Sequence, residues 1–176
     1  LENSTNLTLN APLNVGNDVN LNNSDLNELP TGAEVRVTGD DTEIHTLSGT
    51  RRKNDQNGFN IGGNLSMKNC NKINKLPTDL IVRGNLTINS CNDLKHVNTE
   101  IVVGGDLSLD SCTGFEKFLG HVVVIKGTLF ISHCSSFKNM PQTLKVSDSF
   151  MLLNCNNLEN LSQTLIVGSI CSISFC

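Results

Sequence analysis

Six of the seven cysteines, Cys70, Cys91, Cys112, Cys134, Cys155 and Cys176, follow one another at steps of 21, 21, 22, 21 and 21 residues. A unit that short cannot enclose a core of its own, so it must bury its apolar face against the units before and after it. The surrounding residues keep the same step. Five positions before each cysteine stand Leu65, Leu86, Leu107, Leu129, Phe150 and Cys171, and three positions before stand Met67, Ile88, Leu109, Ile131, Leu152 and Ile173. Three positions after come Ile73, Leu94, Phe115, Phe137 and Leu158, followed by the column Leu76, Val97, Phe118, Met140 and Leu161. A second pair of strand-like positions (Leu80/Val82, Ile101/Val103, Val123/Ile125, Leu144/Val146, Leu165/Val167) precedes a glycine at 63, 84, 105 and 127.

Each unit therefore holds two short alternating segments and no helix-length apolar stripe. Stacking sets each Leu-x-Ile strand beside its equivalents at about 4.8 Å and merges the columns into one core. The expected fold is mainly β, a solenoid of stacked rungs with a parallel sheet and little or no helix. The one extra residue falls near Gly120-His121, where a turn absorbs it. With 38% hydrophobic residues, 4% aromatic and neither Trp nor Tyr, the core must come from Leu, Ile, Val and Phe. The 25 asparagines, poor strand formers, imply frequent turns.

A cysteine directly after each strand reads as a small buried hydrophobe whose thiol donates weakly to a backbone carbonyl. Reduced cysteine is favoured over disulfide, because strict stacking would pair the sulfurs arbitrarily and such bridges belong to oxidising compartments. Zinc requires ligands converging on one point, and CxxC spacing is absent, so no metal or other cofactor is expected. Residues 15–30, VGNDVNLNNSDLNELP, align with the later units and set Ser24 in the cysteine position. Leu7 and Leu9 resemble the strand of a partial earlier rung. One repeat domain is expected over 1–176, with regular repeats at 15–36 and 61–176. Residues 37–60 would form a degenerate third rung carrying an exposed basic loop, in a chain that reads as a piece of a longer protein.

The unit LPTDLIVRGNLTINSCNDLKHV resembles a leucine-rich repeat: LTINSCNDLKHV matches the L-x-L-x-x-(N/C) signature with spaced leucines and LP. Units of this length with LP and little convex helix are similar to those of secreted bacterial (type III) effectors that enter host cells. The resemblance is good over 63–176 and weaker over 15–30. LIVRG is more strand-like than usual, and Cys stands where the bacterial group more often has Asn, so a curved horseshoe and a straighter prism both fit. The resemblance implies protein binding through the strand face, with any catalysis in another domain.

If Leu86 and Ile88 point inward, Thr87 and Asn89 point outward. The same rule produces two outward columns. One is Ser66, Thr87, Ser108, Phe130, Met151 and Ser172; the other is Lys68, Asn89, Asp110, Ser132, Leu153 and Ser174. Phe130, Met151 and Leu153 form an apolar cluster beside Ser132, with Thr87, Asn89 and Asp110 as polar candidates. Such a cluster suits a host protein, another domain of the same protein, or no partner at all.

Enzyme chemistry has little support. Asp106 and Asp110 share a rung without acidic neighbours above or below, and His133 points away from an inward Cys134. His45, His96 and His121 read as surface residues. Gly62-Gly63 and Gly104-Gly105 are turn glycines at repeat spacing. With 13 Lys and Arg against 17 Asp and Glu, the formal charge of -4 gives no nucleic-acid footprint, and Arg51-Arg52-Lys53 reads as a solvated loop. No apolar run is long enough to span a bilayer, and no leader opens the segment. Glycosylation sequons at Asn3, Asn6, Asn22, Asn64, Asn85 and Asn160 would crowd sugars at the sheet's start, which with the free thiols fits a bacterial product working in a reducing host cytosol. The functional expectation is a noncatalytic recognition domain of a secreted effector; the alternative is a structural or glycan-binding β-solenoid spacer.

Overall fold

The computed structural model describes residues 14–26, 29, 44–46, 49–51, 60–77, 80–98 and 101–176. Among them the chain is a parallel β-solenoid with no helix, and none therefore that is long and apolar enough to cross a membrane. Alternation drives the strands. In Leu86–Asn89 the side chains run buried, exposed, buried, half-buried, and Leu65–Lys68 and Leu107–Asp110 likewise bury their first and third residues. Seven such strands form the long sheet, in the order Val19–Asn20, Leu65–Lys68, Leu86–Asn89, Leu107–Asp110, Leu129–Ser132, Phe150–Leu153, Cys171–Ser174. The register follows the sequence columns, Leu86 beside Leu107 beside Leu129, so equivalent side chains stack.

After each cysteine the coil bends inward and makes two more faces. One carries the His96–Asn98 and Lys117–Leu119 strands with single bridges through Lys75, Asn139 and Asn160. The other is split in two. Asn14–Val15, Asn60–Ile61, Ile81–Val82 and Val102–Val103 form a four-stranded sheet, and Val122–Ile125, Thr143–Val146 and Thr164–Val167 a three-stranded one. The break falls at the 22-residue step, where Gly120 adopts φ 136° and the extra residue is taken up in a bend at Gly120-His121. Between the faces lies the predicted core. Phe115 stacks on Phe137 at 5.1 Å, and Phe118 meets both edge-on.

The degenerate rung expected at 37–60 is not inserted between its neighbours. Val19 pairs directly with Leu65, and Val15 with Ile61, so the first described coil stacks on the coil that begins at Asn60. Once those strands share hydrogen bonds there is no slot left between them. From the intervening segment, Ile44–Thr46 and Gly49–Arg51 pair antiparallel as a separate hairpin. Leu7, Leu9 and the rest of the basic loop, Arg52 and Lys53 included, lie outside the described residues.

Two backbone devices repeat on each coil. The residue before every column cysteine is left-handed: Asn69, Ser90, Ser111, His133, Asn154 and Phe175 have φ between 51° and 57°, and Asn23 before Ser24 has 54°. That single kink turns the chain from the strand into the core. At the strand's start, side-chain oxygens form a ladder. Asp18 accepts the N–H of Asn64 at 2.7 Å, Asn64 that of Asn85 at 2.7 Å, Asn85 that of Asp106 at 2.8 Å, and Asp106 that of Thr128 at 2.7 Å. The ladder explains the glycine column: a Cβ on Gly105 would collide with Oδ1 of Asn85.

Candidate functional site

The long sheet's outer surface carries the predicted columns in the predicted register. Ser108 lies beside Phe130, Phe130 beside Met151 and Met151 beside Ser172; Asp110 lies beside Ser132 and Ser132 beside Leu153. Phe130, Met151 and Leu153 therefore share two adjoining strands. They are half-buried, each resting part of its surface on its neighbours while the rest faces out. Thr87 is exposed, and Asn89 and Asp110 are half-buried.

Ser132 departs from the expectation of an available hydrogen-bonding group, since it is only 2% exposed. Its hydroxyl donates to Oδ1 of Asp110, and Nδ1 of His133 lies 3.3 Å from its Oγ. Ser132 thus acts on this surface by fixing Asp110 and His133. The two are themselves 3.5 Å apart, Nδ1 to Oδ1. Asn89 donates to the other carboxylate oxygen at 3.0 Å, while Nδ2 of Asn154 donates to Nε2 of His133 at 2.9 Å. With Nε2 accepting, the proton of a neutral ring belongs on Nδ1, facing Asp110 and Ser132.

This network, Asn89 to Asp110 to Ser132 and His133 to Asn154, crosses four coils beside the apolar patch. It contains a serine, a histidine and an aspartate, yet it is not a nucleophile relay. The hydroxyl donates its hydrogen bond to the carboxylate, the imidazole's far nitrogen is taken by Asn154, and the serine is shut off from solvent. What the arrangement does offer is a fixed acceptor at Asp110 and an exposed imidazole edge at His133. Sequence reasoning passed over His133 and Asn154 for this surface. The signal was available in the residue before each cysteine, whose kink swings its side chain to the sheet's rim.

The column cysteines follow one another up the coil, one to a turn. Cys70, Cys91, Cys112, Cys134 and Cys155 are buried free thiols, and Cys176 is free and exposed at the final coil. Cys91 donates to Met67 O at 3.7 Å, Cys112 to Ile88 O at 3.6 Å and Cys134 to Leu109 O at 3.8 Å, each reaching back to the preceding coil. Ser24 heads the column, 3.6 Å from the Cys70 sulfur. Burial pushes the Cys112 thiol up to about 11. Cys91 and Cys134 are also pushed up, because each hydrogen-bonds a neighbouring sulfur and is itself buried. Cys70 and Cys155 are shifted the other way, to about 6 and about 7, because the Cys91 and Cys134 thiols hydrogen-bond to their sulfurs.

Of the remaining histidines, His121 is exposed in the bend, His96 is half-buried in its strand with Nδ1 enclosed, and the His45 side chain lies outside the described residues. No family model matches the chain, and no match was found among curated proteins or solved structures.

Proposed function

We propose that this chain is a noncatalytic protein-recognition module of the leucine-rich-repeat kind, binding through its seven-stranded face. The observation that carries the reading is the adjacency of an apolar patch, Phe130, Met151 and Leu153, to a pre-ordered polar rim, Asp110, His133 and Asn154, on one rigid sheet. Half-buried apolar anchors beside held hydrogen-bonding groups are the composition of a protein interface. Rigidity also favours binding, since the strands lose little freedom when a partner docks.

In this reading the module belongs to a secreted bacterial effector and meets its partner, a host protein, in the host cytosol. Two features support that setting. The buried thiols are free, as a reducing compartment keeps them. The sequon residues Asn64 and Asn85 spend their side-chain oxygens on the backbone of the next coil, one coil apart, leaving a poor place for two glycans. The test is co-purification from host-cell lysate with the intact chain and with Phe130→Ser/Met151→Ser. Recovery of one dominant partner by the first and its loss with the second supports the reading; equal recovery by both removes the patch from it.

A further inference from the structure

His133, at the rim of the long sheet, is held at both ring nitrogens. Nδ1 lies 3.3 Å from Oγ of Ser132 and 3.5 Å from Oδ1 of Asp110, while Nε2 accepts from Nδ2 of Asn154 at 2.9 Å. The His133 side chain is nonetheless 60% exposed, so a proton reaches it from water without any opening of the fold. By register, the residues flanking the ring come from three coils. Asp110 and Ser111 belong to the coil before, Ser132 and Cys134 to its own, Leu153 and Asn154 to the one after. Of these, Asp110 carries a charge and the Cys134 thiol is turned into the core. The other charge in the same outward column, Lys68, stands two strands before Asp110, with Asn89 between them.

The two partners of the ring answer a second proton differently. With Nε2 accepting, the neutral ring carries its proton on Nδ1, and a second one must enter at Nε2. Asp110 already accepts from Asn89 and Ser132, and a positive ring beside its carboxylate calls for no rearrangement. Asn154 cannot stay as it is, because the N–H of Nε2 and the N–H of Nδ2 would meet donor to donor across 2.9 Å. An amide has opposite polarity at its two ends. Turning it over brings Oδ1 to the ring as acceptor and sends Nδ2 to the place Oδ1 held, while the Asn154 backbone keeps its bond to Ser174 O at 3.0 Å.

We infer that His133 and Asn154 form a proton-operated reversal of the rim beside the apolar patch. With the ring neutral, the rim offers a partner two acceptors, the Asp110 carboxylate and the Asn154 carbonyl. With the ring charged, the imidazolium neutralises Asp110, and Asn154 offers an N–H donor instead. One proton passes from water onto Nε2, and the one other change is the hydrogen bond that Asn154 exchanges. A docked partner cannot satisfy both states, since a donor placed to meet the carbonyl would face another donor after the reversal, and an unpaired polar group at an interface costs affinity. On the recognition reading proposed above, on which this consequence rests, the partner is held while the ring is neutral and released on mild acidification.

Nitrogen-15 and proton NMR spectra of the labelled chain, recorded from about pH 8 to about pH 5, the span in which histidine changes charge, test the reversal without a partner. At the upper end the His133 ring should bear its proton on Nδ1. As Nε2 gains its own, the side-chain amide resonances of Asn154 should move with the same midpoint. His133→Asn, which suits a left-handed kink as Asn69 and Asn154 do, should fold and leave those resonances unmoved across the span. A ring protonated on Nε2 at the upper end, Asn154 resonances that ignore the ring, or an identical response in folded His133→Asn would overturn the inference. Its consequence for binding is read separately, by lysate co-purification at both ends of the span. Loss of the partner by the parent chain at the acid end, with recovery by His133→Asn the same at both ends whatever its level, supports the gating. Equal recovery by the parent chain at both ends overturns the gating and leaves the recognition face standing. If no patch-dependent partner is recovered at either end, recognition itself falls, and coincident ring and amide titrations still establish the reversal.

Discussion

Oδ1 of Asn85 accepts the backbone N–H of Asp106 at 2.8 Å, one coil further along. The bond aligns successive strand starts and occupies the space above Gly105. Asn85→Ala leaves that N–H to water, so the loss is the net value of one hydrogen bond, about 1 kcal/mol. The urea midpoint should fall with an unchanged slope, and the Asp106 amide should exchange faster. Lys68→Ala, an exposed change on the neighbouring strand, should stay within about 0.5 kcal/mol of the parent.

Ser111 holds φ 56° immediately before Cys112. A left-handed backbone strains most L-residues by about 1–2 kcal/mol and strains Asn less. Asn already occupies the equivalent place at Asn23, Asn69 and Asn154. Ser111→Asn should therefore stabilise the chain by about 0.5 kcal/mol and raise its thermal midpoint. Ser111→Val, β-branched in the same kink, should lower it.

The apolar columns were legible because burial repeats with the sequence: Leu86, Ile88, Cys91 and Leu94 all return one period later as buried residues. Ser24 was legible for the same reason, standing in the cysteine column and buried as a cysteine is. Which coil stacks on which was not. Val19 meets Leu65 through backbone groups that every residue carries, so no residue type announces that these two strands adjoin. The asparagines misled in part, since Asn64 and Asn85 resemble turn formers but bond partners a full period away. At the candidate site, alternation put Ser132 on the correct face of its strand. What seals it is His133, whose φ of 51° brings the imidazole to the serine, and alternation carries no information about that kink.

Alkaline pH should unfold the chain through its cysteine column. The Cys112 thiol lies at about 11 in the folded chain against an ordinary 9.0, its burial disfavouring the thiolate. Below pH 9.0 both states hold the proton and the contribution is complete. Between 9.0 and about 11 the unfolded chain ionises while the folded chain does not, and stability declines. At 1.36 kcal/mol per pH unit this one group removes at most about 3 kcal/mol. Cys91 and Cys134, displaced the same way, add to the decline, whereas Cys70 and Cys155, lowered to about 6 and about 7 by hydrogen bonds from those two thiols, ionise first in the folded chain and raise stability with pH up to 9.0. Urea midpoints measured against pH under reductant should fall through this window, less steeply for Cys112→Ala than for the parent.

The sheet face separates binding from folding because its anchors are half-buried while the residues beneath them are wholly buried. Ile131 and Leu152, inward on the same two strands, are 0% exposed. Leu152→Ala should cost about 2–5 kcal/mol by opening a cavity where neighbouring coils interlock. Phe130→Ser removes only part of that contact and should cost about 1 kcal/mol, half or less of what full burial of the side chain is worth. If the face recognises a partner, ranking variants by stability and by binding must give opposite orders. Phe130→Ser would keep its fold and lose the partner, whereas Leu152→Ala, assayed well below its melting transition, would be less stable yet still bind. Matching orders would mean that binding merely reports folding, and the patch would then have no recognition role of its own.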